Sequence, residues 1–187
     1  MRRKKLLFYL ILFLVVLIVV ATQSGWLKTG IHKPRTTQPG YYSVSQFDDG
    51  DTIVVDMNGV HETVRFIGVD TPETHHPNRP LECYGQEAAN YTKQLIGNQT
   101  VRLQADPLDT NRDRYGRLLR YVYLPDGRLV EEELLKHGYG FAYTSFPFEK
   151  KPQFSALEKT ARDNKVGLWA ICKPFMTKYG TYQSNAL

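Results

Sequence analysis

The apolar positions of this chain change period several times, and each change marks an element. Leu6 to Ala21 is an uncharged apolar run preceded by Arg2, Arg3, Lys4 and Lys5. Thr22 to Gly40 shows no sustained period, carries Pro34 and Pro39 among scattered charge, and reads as a flexible stalk. From Tyr42 onward short β-rich runs take over. Thr52 to Met57 and Thr63 to Val69 are strand-like, and Asn58-Gly59 between them is a two-residue hairpin signal because both residue types tolerate positive φ. Antiparallel pairing of these strands would set Asp51, at the start of one, beside Asp70, at the end of the other.

Farther on the period lengthens. Ala88, Tyr91, Thr92 and Leu95 recur at helical spacing, which predicts a helix over residues 84–96 that stops at Gly97. Thr100 to Gln104 and Arg117 to Leu124 return to strand, and Pro125-Asp126-Gly127 turns the chain. Val130, Leu134 and Leu135 predict a short helix up to Gly138; Phe154, Leu157 and Ala161 form the stripe of a last helix over Pro152 to Asn164. Five strands interrupted by about three helices suit an OB-type barrel, and no internal repeat is visible.

At 187 residues, 42% apolar and 12% aromatic, the chain has room for one globular core plus accessories. The N-terminal basic cluster and apolar run, residues 1–21, form a targeting or anchoring segment, followed by the 22–40 linker, a domain over 41–172 and a tail over 173–187. The apolar run is longer than a usual signal-peptide core and just short of a spanning helix. It is read as a retained signal-anchor with the basic end inside and the domain extracellular; cleavage and secretion are the alternative. The chain's formal +5 comes from the N-terminal forty residues, which hold seven Lys and Arg and no acid. From Tyr41 onward seventeen Lys and Arg face nineteen Asp and Glu, a formal −2, so a broadly basic surface is excluded and any nucleic-acid binding must rest on a local cluster.

Three polar stretches supply that cluster: Asp49-Gly50-Asp51-Thr52, Arg65 leading into Asp70-Thr71-Pro72-Glu73, and Asp113-Arg114-Tyr115-Gly116-Arg117. Carboxylates that hold a hard cation, a further carboxylate beside water and two guanidinium forks are what phosphodiester cleavage requires. With Tyr84-Gly85-Gln86-Glu87-Ala88 and Gly167-Leu168-Trp169, these motifs stand in the order and spacing of the thermonuclease (staphylococcal nuclease) family, which the chain resembles from about Tyr41 to Trp169.

The resemblance implies the OB-fold and a calcium-dependent, non-specific nuclease that cleaves the 5′ P–O bond of DNA and RNA, leaving 3′-phosphate ends. It implies Asp51, Asp70 and the Thr71 carbonyl as calcium ligands, Glu73 as the carboxylate that orients or deprotonates water, and Arg65 and Arg117 on the scissile phosphate. Tyr115 and Tyr143 match the family's tyrosines near the nucleotide, where stacking tolerates any base. Asp49 is a supporting residue, and Arg114 and Arg120 are lesser candidates for a substrate contact. After Gly138 the chain departs from the staphylococcal pattern by a short deletion. The alternative is a binding module of the same fold that has lost the chemistry; it would lack one or more of Asp51, Asp70, Glu73, Arg65 and Arg117, and all five are present.

Cys83 and Cys172 permit one disulfide in an oxidising exterior, and two unpaired thiols are the other option. Neither has zinc-site spacing. His75 and His76 are adjacent with no third ligand nearby and are read as exposed loop residues. No phosphate-cradling glycine loop points to triphosphate use. Without a second apolar helix stripe, the domain is expected to be a monomer.

Overall fold

A computed structural model describes residues 12, 13, 40–74 and 80–187. Most of the N-terminal apolar run and of the 22–40 linker, together with His75 and His76, lie outside the described residues. Among the described residues no helix is long and apolar enough to cross a membrane.

Five strands close a barrel: β1 (Tyr41–Asp49), β2 (Thr52–Asp56), β3 (His61–Phe66), β5 (Thr100–Gln104) and β6 (Leu118–Tyr123), in the spatial order β1-β2-β3-β6-β5. This is the OB-type barrel that the strand pattern predicts. Residues Asn58 and Gly59 both take positive φ, 58° and 86°, and Met57 and Val60 exchange backbone hydrogen bonds around them. Their twist matches that of the flanking strands, which fixes the β2–β3 register at Thr52 opposite Arg65. β1 serves two neighbours: Tyr41–Ser43 pair with β5, and Ser43–Asp49 pair with β2 through two register shifts that bend the strand. β3 and β6 run parallel, and the other barrel pairs are antiparallel.

The predicted strand over 63–69 is in fact broken. β3 ends at Phe66, and a two-residue strand β4 (Val69–Asp70) turns aside to pair with β7 (Phe141–Ala142). Gly68 makes the break, with φ 72° and no space for a side chain: a Cβ there would lie 2.6 Å from the Phe148 ring. Asp70 therefore leaves the barrel wall instead of extending it.

Helix α1 (Gly85–Ile96) ends against Gly97 as the pattern predicts, α2 (Val130–Lys136) is the short helix, and α3 (Lys151–Asp163) is the last long one. A further four-residue turn, α4 (Leu168–Ile171), follows. The core joins Ile53, Val55, Val64 and Phe66 of the barrel to Leu134, Leu135 and Phe154 of the helices, all at most 2% exposed. Burial of side chains this size is worth roughly 1.5–3 kcal/mol each and outweighs local propensity in holding the helices to the barrel.

The segment beyond Cys172 is ordered. Phe175–Met176 (β8) and Tyr182–Gln183 (β9) pair antiparallel, and Ala186 forms a bridge to Glu82. The Sγ atoms of Cys83 and Cys172 are bonded across a Cα separation of 5.9 Å.

Candidate active site

Asp51 closes the turn between β1 and β2 and is fixed by its neighbours. Its Oδ2 accepts hydrogen bonds from the Thr71 N–H at 2.8 Å and the Thr71 hydroxyl at 3.1 Å, and its Oδ1 accepts from the Thr52 hydroxyl at 3.0 Å. Gly50 makes this approach sterically feasible, because a Cβ there would stand 2.8 Å from Thr71 side-chain atoms. The Thr92 hydroxyl of α1 donates to the Gly50 carbonyl at 2.5 Å, which ties the helix to the Asp-Gly-Asp turn.

Arg65 lies beside this turn because Thr52 is its partner across β2–β3. Its Nη2 meets Asp70 Oδ1 at 2.6 Å and Asp51 Oδ2 at 3.1 Å, while Nη1 donates to the carbonyls of Val69 at 2.7 Å and Phe66 at 3.0 Å. Burial works against the guanidinium charge, but Asp51 and Asp70 outweigh it and hold the pKa above its ordinary value.

The carboxylates crowd one another. Asp49 is pushed up to about 7, first by burial and then by Asp51 and Glu73, against the pull of the Thr74 hydroxyl bonded to it. Asp70 is pushed to about 7 by loss of hydration and by Asp51, Glu82 and Glu73, and Arg65 draws it back. With 46% of its side chain exposed, Asp70 has part of that push screened by water. Asp49, Asp51, Asp70 and Glu73 thus form one acidic locus.

Arg117 belongs to a second group. It stands at the start of β6, where the parallel pairing of Val64 with Leu118 and Arg65 with Leu119 puts it on the same side of the wall as Arg65. Asp113 orients it: Oδ2 accepts from Nε and Nη2, each at 2.7 Å. Burial alone would raise the Asp113 pKa, but these bonds and the N–H groups of Arg117 and Tyr115 lower it. The exposed Tyr115 ring has the Arg114 guanidinium 4.8 Å and the Arg117 guanidinium 5.5 Å from its centroid. Tyr143 is half-buried after β7, and its N–H donates to the Gly68 carbonyl at 2.9 Å.

Arg120 does not fit the expectation of a substrate contact. It is 1% exposed, and its guanidinium donates to the carbonyl and Oδ1 of Asn111 and to the Leu119 carbonyl. Alternation along β6 puts it on one face with the buried Leu118 and Val122, so it braces the 111 loop from inside. Arg114 is exposed and bonded to the Tyr115 hydroxyl at 2.6 Å.

Glu82 is a functional neighbour that no sequence motif marks. Its N–H donates to the Glu73 carbonyl at 3.0 Å, and its Oε2 accepts from the Glu73 N–H at 3.1 Å, which pinches the two ends of the 73–82 loop together. A lone Glu beside Cys83 carries no motif, and only the pairing reveals it.

Asp51, Asp70 and the Thr71 carbonyl are all-oxygen donors, the set a hard divalent cation takes with water completing its shell. Among the described residues no cluster of three Asp, Glu, His or Cys side chains converges on one point. The fit rests on the two aspartates gathered at one guanidinium nitrogen, and on Thr71, whose N–H and hydroxyl both go to Asp51 and fix it beside them.

Fold and site together define a class: a barrel carrying a carboxylate and arginine centre at one edge. The family model described as "Staphylococcal nuclease homologue" matches residues 63–171. A thermonuclease of Staphylococcus hyicus is 41% identical over 130 residues, covering 69% of this chain and 75% of that protein. Endonuclease YncB of Bacillus subtilis (strain 168) is 44% identical over 124 residues, covering 65% of this chain and 58% of the relative. The uncharacterized protein MJ1439 of Methanocaldococcus jannaschii is 36% identical over 153 residues, covering 71% and 73% respectively. The chain belongs to the staphylococcal nuclease family.

Proposed function

We propose that this protein is a calcium-dependent endonuclease that hydrolyses DNA and RNA without sequence preference, breaking the 5′ P–O bond and leaving 3′-phosphate ends. The observation that carries this reading is Arg65 Nη2 bridging Asp51 and Asp70, which gathers cation ligands and a phosphate-binding guanidinium at one point.

Asp51, Asp70 and the Thr71 carbonyl would hold the calcium ion. When bound, the ion supplies a counter-charge for the phosphate and lowers the pKa of nearby water. Glu73 takes the proton from the attacking water as its oxygen bonds to phosphorus. The 5′ oxygen then departs with the electron pair of the broken bond and takes a proton from solvent water. Arg65 and Arg117 donate to the non-bridging oxygens, and those bonds strengthen as negative charge accumulates in the five-coordinate state. Tyr115 and Tyr143 offer π-faces to the bases, which fits a lack of sequence preference.

The location belongs to the same proposal. The basic cluster and apolar run at residues 1–21 support a membrane anchor that presents the nuclease outside the cell, or a signal for secretion. The Cys83–Cys172 bond supports an oxidising surrounding. The deciding experiment digests single- and double-stranded DNA and RNA with the full chain in calcium, in magnesium and in chelator. Cleavage that calcium restores after chelation, with 3′-phosphate ends, is expected. Binding without cleavage in a folded sample would replace the enzyme with a binding module.

A further inference from the structure

The C-terminal residues are bonded to the same short segment that holds Glu73. From Cys172, covalently joined to Cys83, the chain forms the β8–β9 hairpin and then returns along residues 81–83. Cys83 N–H donates to the Asn185 carbonyl at 2.8 Å, Leu187 N–H to the Leu81 carbonyl at 2.9 Å, and the Ser184 hydroxyl to the Cys83 carbonyl at 2.8 Å. Between these fixed points lies Glu82, 9% exposed, whose carboxylate takes one bond on each oxygen: Oε1 from Gln183 Nε2 at 2.6 Å and Oε2 from the Glu73 N–H at 3.1 Å. One buried carboxylate thus connects the tail to the backbone of Glu73. Gly85 closes the other side, since a Cβ there would come within 2.8 Å of the Glu73 carbonyl.

A second connection runs through aromatic packing. The Tyr182 ring, next to Gln183, lies 6.4 Å from Phe141 and 5.1 Å from Trp169. Phe141 is the strand partner of Asp70. The tail therefore touches supports of both Asp70 and Glu73, and Glu73 and Leu187 line one recess of about 330 Å³.

A carboxylate on a loop has many orientations, whereas proton transfer needs it within about 2.6–3.2 Å of its partner. Glu82 holds the Glu73 backbone from both sides, its N–H on the Glu73 carbonyl and its Oε2 on the Glu73 N–H, so how firmly Glu82 is held bears on where Glu73 sits. Gln183 supplies the donor that fixes the Glu82 carboxylate, and the disulfide holds the root of the tail beside it.

We propose that residues 182–187 are a strap that positions Glu73, and that Gln183 is the positioning residue, acting through Glu82. The inference rests on the reading of Glu73 as the group that accepts the water proton. It extends the working site to a segment beyond the family match at 63–171.

The test uses the full chain and four variants: Gln183→Met, which keeps the volume and removes the donor, Gln183→Lys, which restores a donor, Glu73→Gln, and the Glu73→Gln/Gln183→Met double. Since displacement of a catalytic group by about 1 Å can cost roughly 100-fold, the loss of one of its fixing bonds is expected to lower kcat about tenfold. KM should hardly change, Tm should fall because the buried Glu82 Oε1 loses its donor, and Gln183→Lys should recover most of the rate. In the Glu73→Gln background, Gln183→Met should have no further effect, because the group it positions is gone. An unchanged kcat in Gln183→Met, or the same fractional loss in both backgrounds, would overturn the strap and leave the reading of Glu73 intact. Full activity in Glu73→Gln would overturn that reading and the strap with it.

Discussion

At the scale of single residues, burial distinguishes groups that solvent reaches from groups that brace the frame. With Glu73 in its proposed role as proton acceptor, Glu73→Gln keeps the shape and removes the base, so kcat should fall by about 10²- to 10⁴-fold with Tm nearly unchanged, as read by steady-state digestion and thermal melting. Arg120→Met should do the reverse. It takes away the buried donor that satisfies Asn111, and the unsatisfied groups cost about 1–3 kcal/mol, visible as a lower Tm with KM for nucleic acid unaltered. The sequence lists Arg65, Arg114, Arg117 and Arg120 with equal voice. Burial separates them: Arg120 shares a strand face with Leu118 and Val122, and strand alternation over 118–122 is the signal that marks it.

At the scale of elements, the Asp-Gly-Asp turn and β4 meet through one steric allowance. In Gly50→Ala the new methyl would be driven into Thr71, whose N–H and hydroxyl hold Asp51. Overpacking of this kind costs about 1–3 kcal/mol, and a loss of activity exceeding the loss of stability is expected in parallel assays of digestion and unfolding. Helix α2 carries a different kind of tension. Glu131, in its first turn, is fully buried, and its carboxylate accepts the Val122 N–H at 3.1 and 3.2 Å. Burial raises its pKa well above the ordinary 4.5, so the folded protein holds this proton more tightly than the unfolded chain. Its contribution to stability is therefore complete below about pH 4.5 and is lost as pH rises toward the folded value. Glu131→Gln keeps an oxygen for Val122 and has no charge to bury. Denaturant titrations across mildly acidic to neutral pH should show a shallower decline in the variant, with the gain in stability largest at neutral pH.

At the scale of the molecule, the Cys83–Cys172 bond closes a loop with a sequence separation of 89 that takes in β5, β6 and the helices and leaves β1, β2 and β3 outside it. Removing a native bridge from a small domain typically costs about 2–5 kcal/mol, so the Cys83→Ala/Cys172→Ala double variant should unfold at distinctly lower denaturant concentration. That measurement reads stability alone, whereas Gln183→Met reads kcat, so the two roles of the tail can be separated.

The barrel strands, the Asn-Gly hairpin, the helix stripes and the three polar motifs were legible along the chain, because periodicity and turn chemistry act over a few residues. Asp51, Arg65, Asp70 and Glu73 were legible as a set through their family spacing. What depended on tertiary structure was which side chains share a space. Thr63–Val69 reads as one strand, but Gly68 pressed against Phe148 breaks it and turns Asp70 toward β7. Arg120 reads like its neighbours until the barrel closes over it. The tail beyond Cys172 has no period that announces structure, and its order comes from Tyr182, Gln183 and Asn185 meeting partners about a hundred residues earlier or beside α4. Local pattern determines elements, since each residue's neighbours in sequence set its backbone; long-range contacts form only when the whole chain has collapsed, and here they decide which carboxylates stand together and what holds them there.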